Sequence, residues 1–446
     1  MLESFFSYLT RVDTFFWGYV AFGLIMVLGG YFTYRHRFFQ MREVLGIGKS
    51  FIRLLGSKSV GKRGVHPLRA FFASTGGMIG IGNVVGIVTA VQIGGPGALF
   101  WVWIAGAVGS IIKYAEVYLG IKYRVENGKG GYDGGPMYYL KAAFGNALVP
   151  LLIAILLCIY GVEIYQFSVI TETLNHNFGL NRFLIIGILL AFVLYVSLGG
   201  VRRLGGISGW LLPFFLCIYV LMALFVIISE IDLIPSLLLT VVKSAFTGHA
   251  AIGGFAGSSM LFAIQHGLSR AAYSADIGIG YDSIIQSESN VKKPEEQARL
   301  AILGVFIDNV ICSLSIFVVL LSQVWLAETP IVGSALVQSA LSLYFPYMNI
   351  FMPLFLTILG FTTITAYFCV GIKCASFLFP KRGALFYVLY GVSAFILFAF
   401  VDQSKALVVM SISGSMLLIV NLLAMYRLRR EICAPYLEPQ VSISDK

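Results

Sequence analysis

Long runs of apolar residues recur along the whole chain, and short segments that carry charge separate them. A helix rises about 1.5 Å per residue, so about 20 apolar residues cross the hydrocarbon core of a bilayer. Reading for such runs, we predict about eleven membrane-spanning helices, at residues 14–34, 70–94, 96–120, 147–170, 182–199, 207–229, 251–280, 299–327, 348–376, 384–401 and 405–426. The sequence therefore predicts an all-α polytopic membrane protein.

The composition excludes other classes. Only 12% of the residues are charged and 58% are hydrophobic, whereas soluble domains are about 25% charged. A transmembrane β-barrel would alternate apolar and polar residues, and these runs are continuous. Five of the six cysteines fall within apolar runs, which favours packing residues over a disulfide framework. The first run lacks a basic start and a small-residue cleavage site, so we expect it to be retained as a helix.

Basic residues concentrate on one predicted side of the membrane. Residues 35–69 hold nine lysines and arginines against one acid, and the alternate loops that follow repeat the bias. Cytoplasmic loops carry such an excess, so we expect the N-terminus outside and the C-terminus in the cytoplasm of a bacterial plasma or inner membrane. The net charge of +10 is thereby explained without nucleic acid. Residues 42–55 are expected to form either an amphipathic helix on the inner leaflet or a solvated linker.

Glycine is concentrated where a spanning helix should be continuous. The second span contains four glycines between Thr75 and Asn83, and interior glycines weaken a helix, so we predict a break there. A comparable cluster at residues 250–259 opens the seventh span. Paired broken helices in two halves of a chain indicate an inverted-repeat secondary transporter, here five plus five helices after one extra helix. We expect boundaries at 1–69 for that helix and a basic linker, 70–230 and 231–401 for the repeats, and 402–446 for the last helix and tail.

Ionisable residues inside spans are candidates for function because burying them is costly. Lys113 and Glu116 are three residues apart, and we expect them to pair with each other. Glu163 lies deep in the fourth span, where it is either a protonatable or cation-sensing group or a buried neutral acid. Arg270 and Asp276 either line an inner gate with Tyr273 and Ser274 or satisfy one another.

Two further polar groups lie within predicted spans. Asp308 and Asn309 either line an inner gate or satisfy one another. The hydroxyls at 362–365 are oxygen ligands suited to sodium. The sequence has no metalloprotease, nucleotide-binding or paired-cysteine motif, so we expect neither an enzyme nor an ATP-driven pump.

The stretch from Gly80 to Trp103, with the motif Gly94-Gly95-Pro96-Gly97, resembles the alanine or glycine:cation symporter family. Motifs around Lys113, at 134–139, at 304–308 and at 361–374 follow in the family's order. The resemblance covers about residues 65 to 430. It implies the leucine-transporter-like five-plus-five fold and uptake of alanine or glycine driven by sodium, or by protons.

The glycine clusters and this resemblance together give the candidate site residues. Those for substrate are Thr75, Gly76, Gly77, Ile79, Gly80, Gln166, Gly254, Phe255, Gly257, Ser258 and Phe262. By resemblance, the sodium ligands are Gly80, Asn83, Thr362 and Thr363. The coupling or gating residues are Glu163, Arg270 and Asp276. The chain departs from the family at 161–168, where Glu163 appears and two asparagines are lost, and at 274–280, where the family's Ser-Asn-Glu-Ala-Gly-Leu-Gly reads Ser-Ala-Asp-Ile-Gly-Ile-Gly.

We therefore expect a symporter of a small neutral amino acid that works by alternating access in a lipid membrane. It needs no cofactor beyond a coupling ion, which is sodium or, in the alternative, a proton. A passive channel or a sensor with the same fold are the rival expectations, and a membrane-embedded enzyme has the least support.

Overall fold

The structure is a computed structural model that describes residues 2–56, 63–128, 130–247, 260–326, 334–401 and 403–433. These residues are almost entirely helical. The helices are α1 Leu2–Phe15, α2 Phe22–Arg35, α3 Phe39–Arg42, α4 Val44–Leu55, α5 Pro67–Met78, α6 Val88–Gly94, α7 Ala98–Lys122, α8 Pro136–Phe144, α9 Leu148–Tyr160, α10 Ile164–Phe178, α11 Arg182–Ser197, α12 Gly200–Ser229, α13 Ile234–Thr247, α14 Met260–Ser274, α15 Tyr281–Gln286, α16 Pro294–Ser322, α17 Ser334–Ser342, α18 Met348–Leu378, α19 Gly383–Phe398 and α20 Gln403–Arg427.

Shorter segments join these helices. Phe16–Ala21 and Gly82–Gly86 are π-helical, and Ile231–Leu233 and Val324–Leu326 are 3₁₀ turns. Two strands, β1 Val125–Glu126 and β2 Tyr132–Asp133, form one small antiparallel hairpin. Residues 44–55 form the helix α4, in agreement with the helical alternative, and its position on the inner leaflet stays a prediction.

Within the described residues, seven helical segments are long and apolar enough to cross a membrane, and an eighth forms when α5 and α6 are taken as one bent span. The helices α11 and α19 are shorter but apolar. The prediction of an all-α polytopic membrane protein is confirmed. Helices α8, α13 and α17 lie between the spans and were not predicted, because they are too short to give the signal of a spanning run.

The first break separates α5 from α6. Helix α5 ends at Met78, and Ile79 is extended, with φ −86° and ψ 96°. The chain resumes in the π-helical turn after residue 81, and the two halves differ in direction by 46°. Glycine is required at position 77, since a Cβ there would lie 1.7 Å from the Tyr281 hydroxyl. The predicted break in the second span is confirmed.

A second interruption, at residues 275–280, separates α14 from α15. Asp276, Gly278 and Gly280 adopt φ values of 48°, 76° and 99°, in the left-handed region that favours glycine. The cluster at 250–259, where we predicted the second break, lies outside the described residues. The interruption that the structure describes in this span is therefore at its opposite end. Four more apolar helices follow each of the two broken spans, which suits a five-plus-five architecture, and the second set includes α20, which the predicted boundary at residue 401 places outside the repeat.

A third interruption, which we did not predict, separates α9 from α10. Glu163 sits there with a left-handed φ of 54°, just before α10 begins. Gly161 lies close to α18 and α19, because a Cβ on it would be 2.9 Å from the Tyr387 hydroxyl and 3.0 Å from the Tyr367 carbonyl. The helix of the fourth span is therefore interrupted where it packs against α18 and α19, and Glu163 lies at this interruption.

The segment after α20 docks against the end of α7. The Tyr114 hydroxyl donates to the Cys433 carbonyl at 2.7 Å, and Tyr123 donates to the Glu431 carboxylate at 2.7 Å. Lys122 Nζ lies 2.9 Å from the same carboxylate. Partial burial raises the pKa of Glu431, but the hydrogen bonds from Tyr123 and Lys122 lower it more, so the net pKa lies below its ordinary value.

Candidate functional site

The breaks meet at one small polar cavity inside the helical bundle. Its volume is about 30 Å³, which is room for one or two water molecules. The lining comes from α5 and the turn after it, from the bends before α10 and after α14, and from α18. The lining residues are Gly77, Met78, Gly80, Gly82, Asn83, Tyr160, Glu163, Gln166, Tyr273, Ser274, Asp276, Thr363 and Tyr367.

Seven of the candidate residues are brought together at this cavity: Gly77, Gly80, Asn83, Glu163, Gln166, Asp276 and Thr363. Thr75, Gly76, Ile79 and Thr362 are buried on the same helices but do not line it. The side chain of Phe262 is 41% exposed, and its backbone packs against Gly94 at the end of α6. Arg270 lies on α14 outside the lining, near Asp13. Gly254, Phe255, Gly257 and Ser258 lie outside the described residues.

The backbone of the first break is held by side chains. The N–H of Gly80 donates to Asn83 Oδ1 at 2.9 Å, and the N–H of Ile81 donates to Gln166 Oε1 at 3.3 Å. These bonds satisfy groups that a continuous helix would have paired internally. The Gln166 side chain therefore fixes the position of α10 relative to the break.

Asp276 is the centre of the second break. Its carboxylate accepts hydrogen bonds from the hydroxyls of Tyr160, at 2.9 Å, and Tyr367. Tyr367 also stacks on Tyr281, with ring centroids 4.0 Å apart. Glu163 faces the same cavity, so two carboxyl groups and two tyrosine hydroxyls line a space of only a few water volumes.

Lys113 pairs with the second break, and our prediction that it pairs with Glu116 is wrong. Its Nζ lies 2.6 Å from Asp282 Oδ2 and donates to the carbonyl of Asp276 at 2.5 Å. The ammonium is fully buried. Neither carboxyl oxygen of Glu116 has a hydrogen-bond partner within normal geometry among the described residues.

The ion pair continues into α5. The Ser74 hydroxyl donates to the other oxygen of Asp282, and Gln286 Nε2 donates to Ser74 Oγ at 3.0 Å. Lys113 on α7 therefore ties together the first broken helix and the inner half of the second. Of the two alternatives for Asp276 and Arg270, mutual satisfaction is wrong, because tyrosines and not Arg270 bond the Asp276 carboxylate, and the inner gate stays a prediction.

Asp308 on α16 links both breaks. Its Oδ1 accepts hydrogen bonds from Asn83 Nδ2 and from Ser274 Oγ, the latter at 3.2 Å. Asn309 faces away, towards α7, and donates to the Val102 carbonyl at 2.9 Å. Of these two neighbours only Asp308 therefore belongs to the polar network of the breaks.

Thr363 brings a hydroxyl oxygen to the end of α5. Its Oγ1 donates to the Gly76 carbonyl at 3.4 Å and to the Leu359 carbonyl at 3.1 Å. A Cβ at Gly80 would lie 2.5 Å from the same oxygen. The carbonyls at a helix C-terminus lack partners within the helix and carry partial negative charge, so with this hydroxyl they form an oxygen-rich corner that suits a small hard cation.

Sequence reasoning named Tyr273 but missed the other two tyrosines of the site. Tyr160 and Tyr367 lie in apolar runs among 23 tyrosines, and no local pattern separates them from packing residues. Asp282 was missed because it follows the last predicted residue of the seventh span. An acidic residue so close to Gly280, which has a left-handed φ, is the signal that would have identified Asp282.

Two interrupted helices that face one polar cavity within a five-plus-five bundle define a secondary transporter with the leucine-transporter-like fold. The chain belongs to the sodium:alanine symporter family, which matches residues 2–437. That family consists of sodium-coupled amino-acid symporters and not of enzymes.

Relatives differ in the substrate that they carry. The chain is 30% identical to the probable sodium/glutamine symporter GlnT of Bacillus subtilis over 93% of this chain and 87% of that one. It is 27% identical to the sodium/alanine symporter AgcS of Methanococcus maripaludis, over 91% and 89% of the two chains. A solved structure of Mhp1, a nucleobase-cation-symport-1 family transporter, matches 78% of this chain and 75% of that one, with a TM-score of 0.53 and 12% identity. This likeness supports the fold alone.

Proposed function

We propose that this chain carries alanine or glycine across the membrane together with sodium, by alternating access. The observation that carries the proposal is the cavity that residues of both described helix breaks line. Paired breaks of this kind place free backbone groups at substrate and ion sites in inverted-repeat transporters.

The cavity walls favour a small substrate. Gly77 and Gly80 face the cavity, and any side chain on them would collide with Tyr281 or Thr363. At about 30 Å³ the space holds water or an ion, so even alanine requires its walls to separate. Alanine and glycine need the least separation, whereas glutamine has four more heavy atoms to place than alanine.

The charges of the site suit the two ends of an amino acid. The carboxyl groups of Glu163 and Asp276 face the cavity and can attract an ammonium group. Backbone N–H groups at the break, such as those of Gly80 and Ile81, are the donors available to a carboxylate once Asn83 and Gln166 release them. Substrate entry would thus exchange internal hydrogen bonds for bonds to substrate.

Sodium is proposed to bind at the oxygen-rich corner formed by Thr363 and the C-terminal carbonyls of α5. The 3.4 Å separation between Thr363 Oγ1 and the Gly76 carbonyl supports this position. A cation there would hold α18 against the first broken helix. Binding sodium and closing the bundle on one side would then be the same event.

Proton coupling through Glu163 is the second candidate. It is favoured by the presence of two carboxyl groups at one cavity, since two like charges in a confined apolar setting favour keeping a proton on one of them. In this version, a proton on Glu163 replaces sodium as the coupled ion. Asp276 accepts hydrogen bonds from two tyrosine hydroxyls and is not the proposed proton carrier.

Uptake into proteoliposomes tests both versions. We expect labelled alanine or glycine to accumulate under an inward sodium gradient, with glutamine transported less. Absence of substrate-dependent flux under sodium and proton gradients alike would overturn the proposal. Glu163→Gln should abolish only a proton-driven component, with Glu172→Gln on the exposed face of α10 as the matched control.

The orientation is proposed from charge, with the N-terminus outside and the C-terminus in the cytoplasm. The basic residues of α3 and α4 and those after α20 would then face the same compartment. Labelling of single cysteines at residues 3 and 436 in intact cells and in inverted vesicles tests it. Equal access of reagent to both ends from one side would contradict it.

A further inference from the structure

A second cavity lies away from the breaks. It has a volume of about 220 Å³ and lies between α3, α7 and α16. Its walls are mainly apolar, with Met41, Val44, Trp103 and Val305 among them. None of the residues of the transport site lines it.

This cavity faces the surroundings of the bundle. Met41 and Phe306, both on its rim, are 53% and 51% exposed. Helices α7 and α16 are spanning helices, so the medium outside them is lipid. An apolar groove in this position is available to the acyl chain of a lipid.

Gln40 places an amide group in the cavity wall that needs a hydrogen-bond donor. Its side chain is buried, and its Nε2 donates to Thr33 Oγ1 at 2.7 Å. Its Oε1 has no hydrogen-bond partner among the described residues, although it lies at the wall of the cavity. A buried acceptor without a donor is costly, so an occupant that brings a hydroxyl group would be favoured.

Arg299 does not line the cavity but supplies a positive charge close to its lining residues. It lies one helical turn before Ile302, a lining residue of α16, and its guanidinium carbon is 5.9 Å from the ring of Phe39, the neighbour of Gln40. Its buried Nε has no hydrogen-bond partner in the described part of the chain. The fork of a guanidinium matches a phosphate group, and the adjoining helices α3 and α4 carry further basic residues.

We propose that this cavity binds an anionic phospholipid whose headgroup carries free hydroxyls, as in phosphatidylglycerol. One acyl chain fills the groove between α7 and α16. The phosphate pairs with Arg299, and a headgroup hydroxyl donates to Gln40 Oε1. The bound lipid thereby fastens α3 to the two spanning helices on the basic side of the protein.

Native mass spectrometry of the full chain, delipidated in detergent, tests the proposal. Phosphatidylglycerol, phosphatidic acid and phosphatidylethanolamine with identical acyl chains would be added in separate titrations. We expect phosphatidylglycerol, which has one net negative charge, to bind at least about tenfold more tightly than phosphatidylethanolamine, because the ammonium of that zwitterionic lipid offsets the attraction of its phosphate to Arg299 and to the basic residues of α3 and α4. Equal retention of the two lipids would overturn the proposal.

Variants locate the binding. Arg299→Gln and the cavity-filling Ala107→Phe should each reduce phosphatidylglycerol binding about tenfold, whereas Arg430→Gln, which removes an exposed arginine elsewhere on the basic side, should not. Gln40→Leu should remove only the preference for phosphatidylglycerol over phosphatidic acid. Melting temperatures of the variants report on folding, and undiminished binding in both Arg299→Gln and Ala107→Phe would refute the site.

Discussion

Replacing Lys113 by methionine should strongly destabilise the protein. The change leaves the buried Asp282 carboxylate, 2.6 Å from the lost ammonium, without its counter-charge, and the Asp276 carbonyl without its 2.5 Å donor. Removing one partner of a buried ion pair costs about 3–5 kcal/mol. At about 2 °C per kcal/mol, the melting temperature should fall by about 6–10 °C.

The measurement is thermal unfolding of the detergent-solubilised protein, followed by size-exclusion chromatography of heated samples. Lys141→Met, at an exposed lysine, is the matched control and should change the melting temperature by less than about 1 °C. The double variant Lys113→Met with Asp282→Leu should recover at least about half of the loss, because neither charge is then left unpaired. A single variant as stable as wild type, or a double variant no better than the single one, would refute this account.

Three other outcomes follow from the structure. Gly77→Ala should abolish uptake in proteoliposomes even if the protein still assembles, because the Cβ of the new alanine would lie 1.7 Å from the Tyr281 hydroxyl. Transport at wild-type rates would contradict the packing described for the break. Thr363→Val should raise the sodium concentration needed for half-maximal uptake about tenfold or more. Thr365→Val should not, because the Thr365 hydroxyl does not line the cavity and donates to carbonyls of its own helix; equal effects would count against the proposed ion position. Folding lowers the pKa of Glu431, so the contribution of this carboxylate to tail docking is complete above its unfolded pKa of about 4.3 and is lost as the pH falls through the lower folded pKa. Limited proteolysis should release the tail only in that acid range. A tail equally protected at pH 3 would disprove this.

The fold was largely predictable because its main signals are local. Apolar runs of spanning length identify membrane helices by themselves, and the glycines from Gly76 to Gly82 weaken a helix wherever it lies. The interruption at 275–280 was harder to recognise. It uses only two glycines, and the left-handed φ of Asp276 is an uncommon conformation for a residue with a side chain.

Partnerships between distant residues could not be predicted in the same way. Lys113 and Glu116 share a helix face, so a local rule pairs them, yet the ammonium reaches the more distant Asp282. The partner of Lys113 depends on how α7 packs against α15, and the spacing of residues within α7 does not predict that packing. Tyr160 and Tyr367 likewise become polar ligands of Asp276 only once three helices meet.

The Lys113–Asp282 ion pair also constrains how the protein is made. Asp282 is synthesised 169 residues after Lys113, which takes about 10–30 s at ordinary translation rates. During this interval α7 holds an unpaired lysine, at a cost of about 3 kcal/mol within a bilayer. Until α15 is synthesised, α7 is therefore only marginally stable as an inserted helix. Its final position in the membrane depends on Asp282, which has not yet been translated.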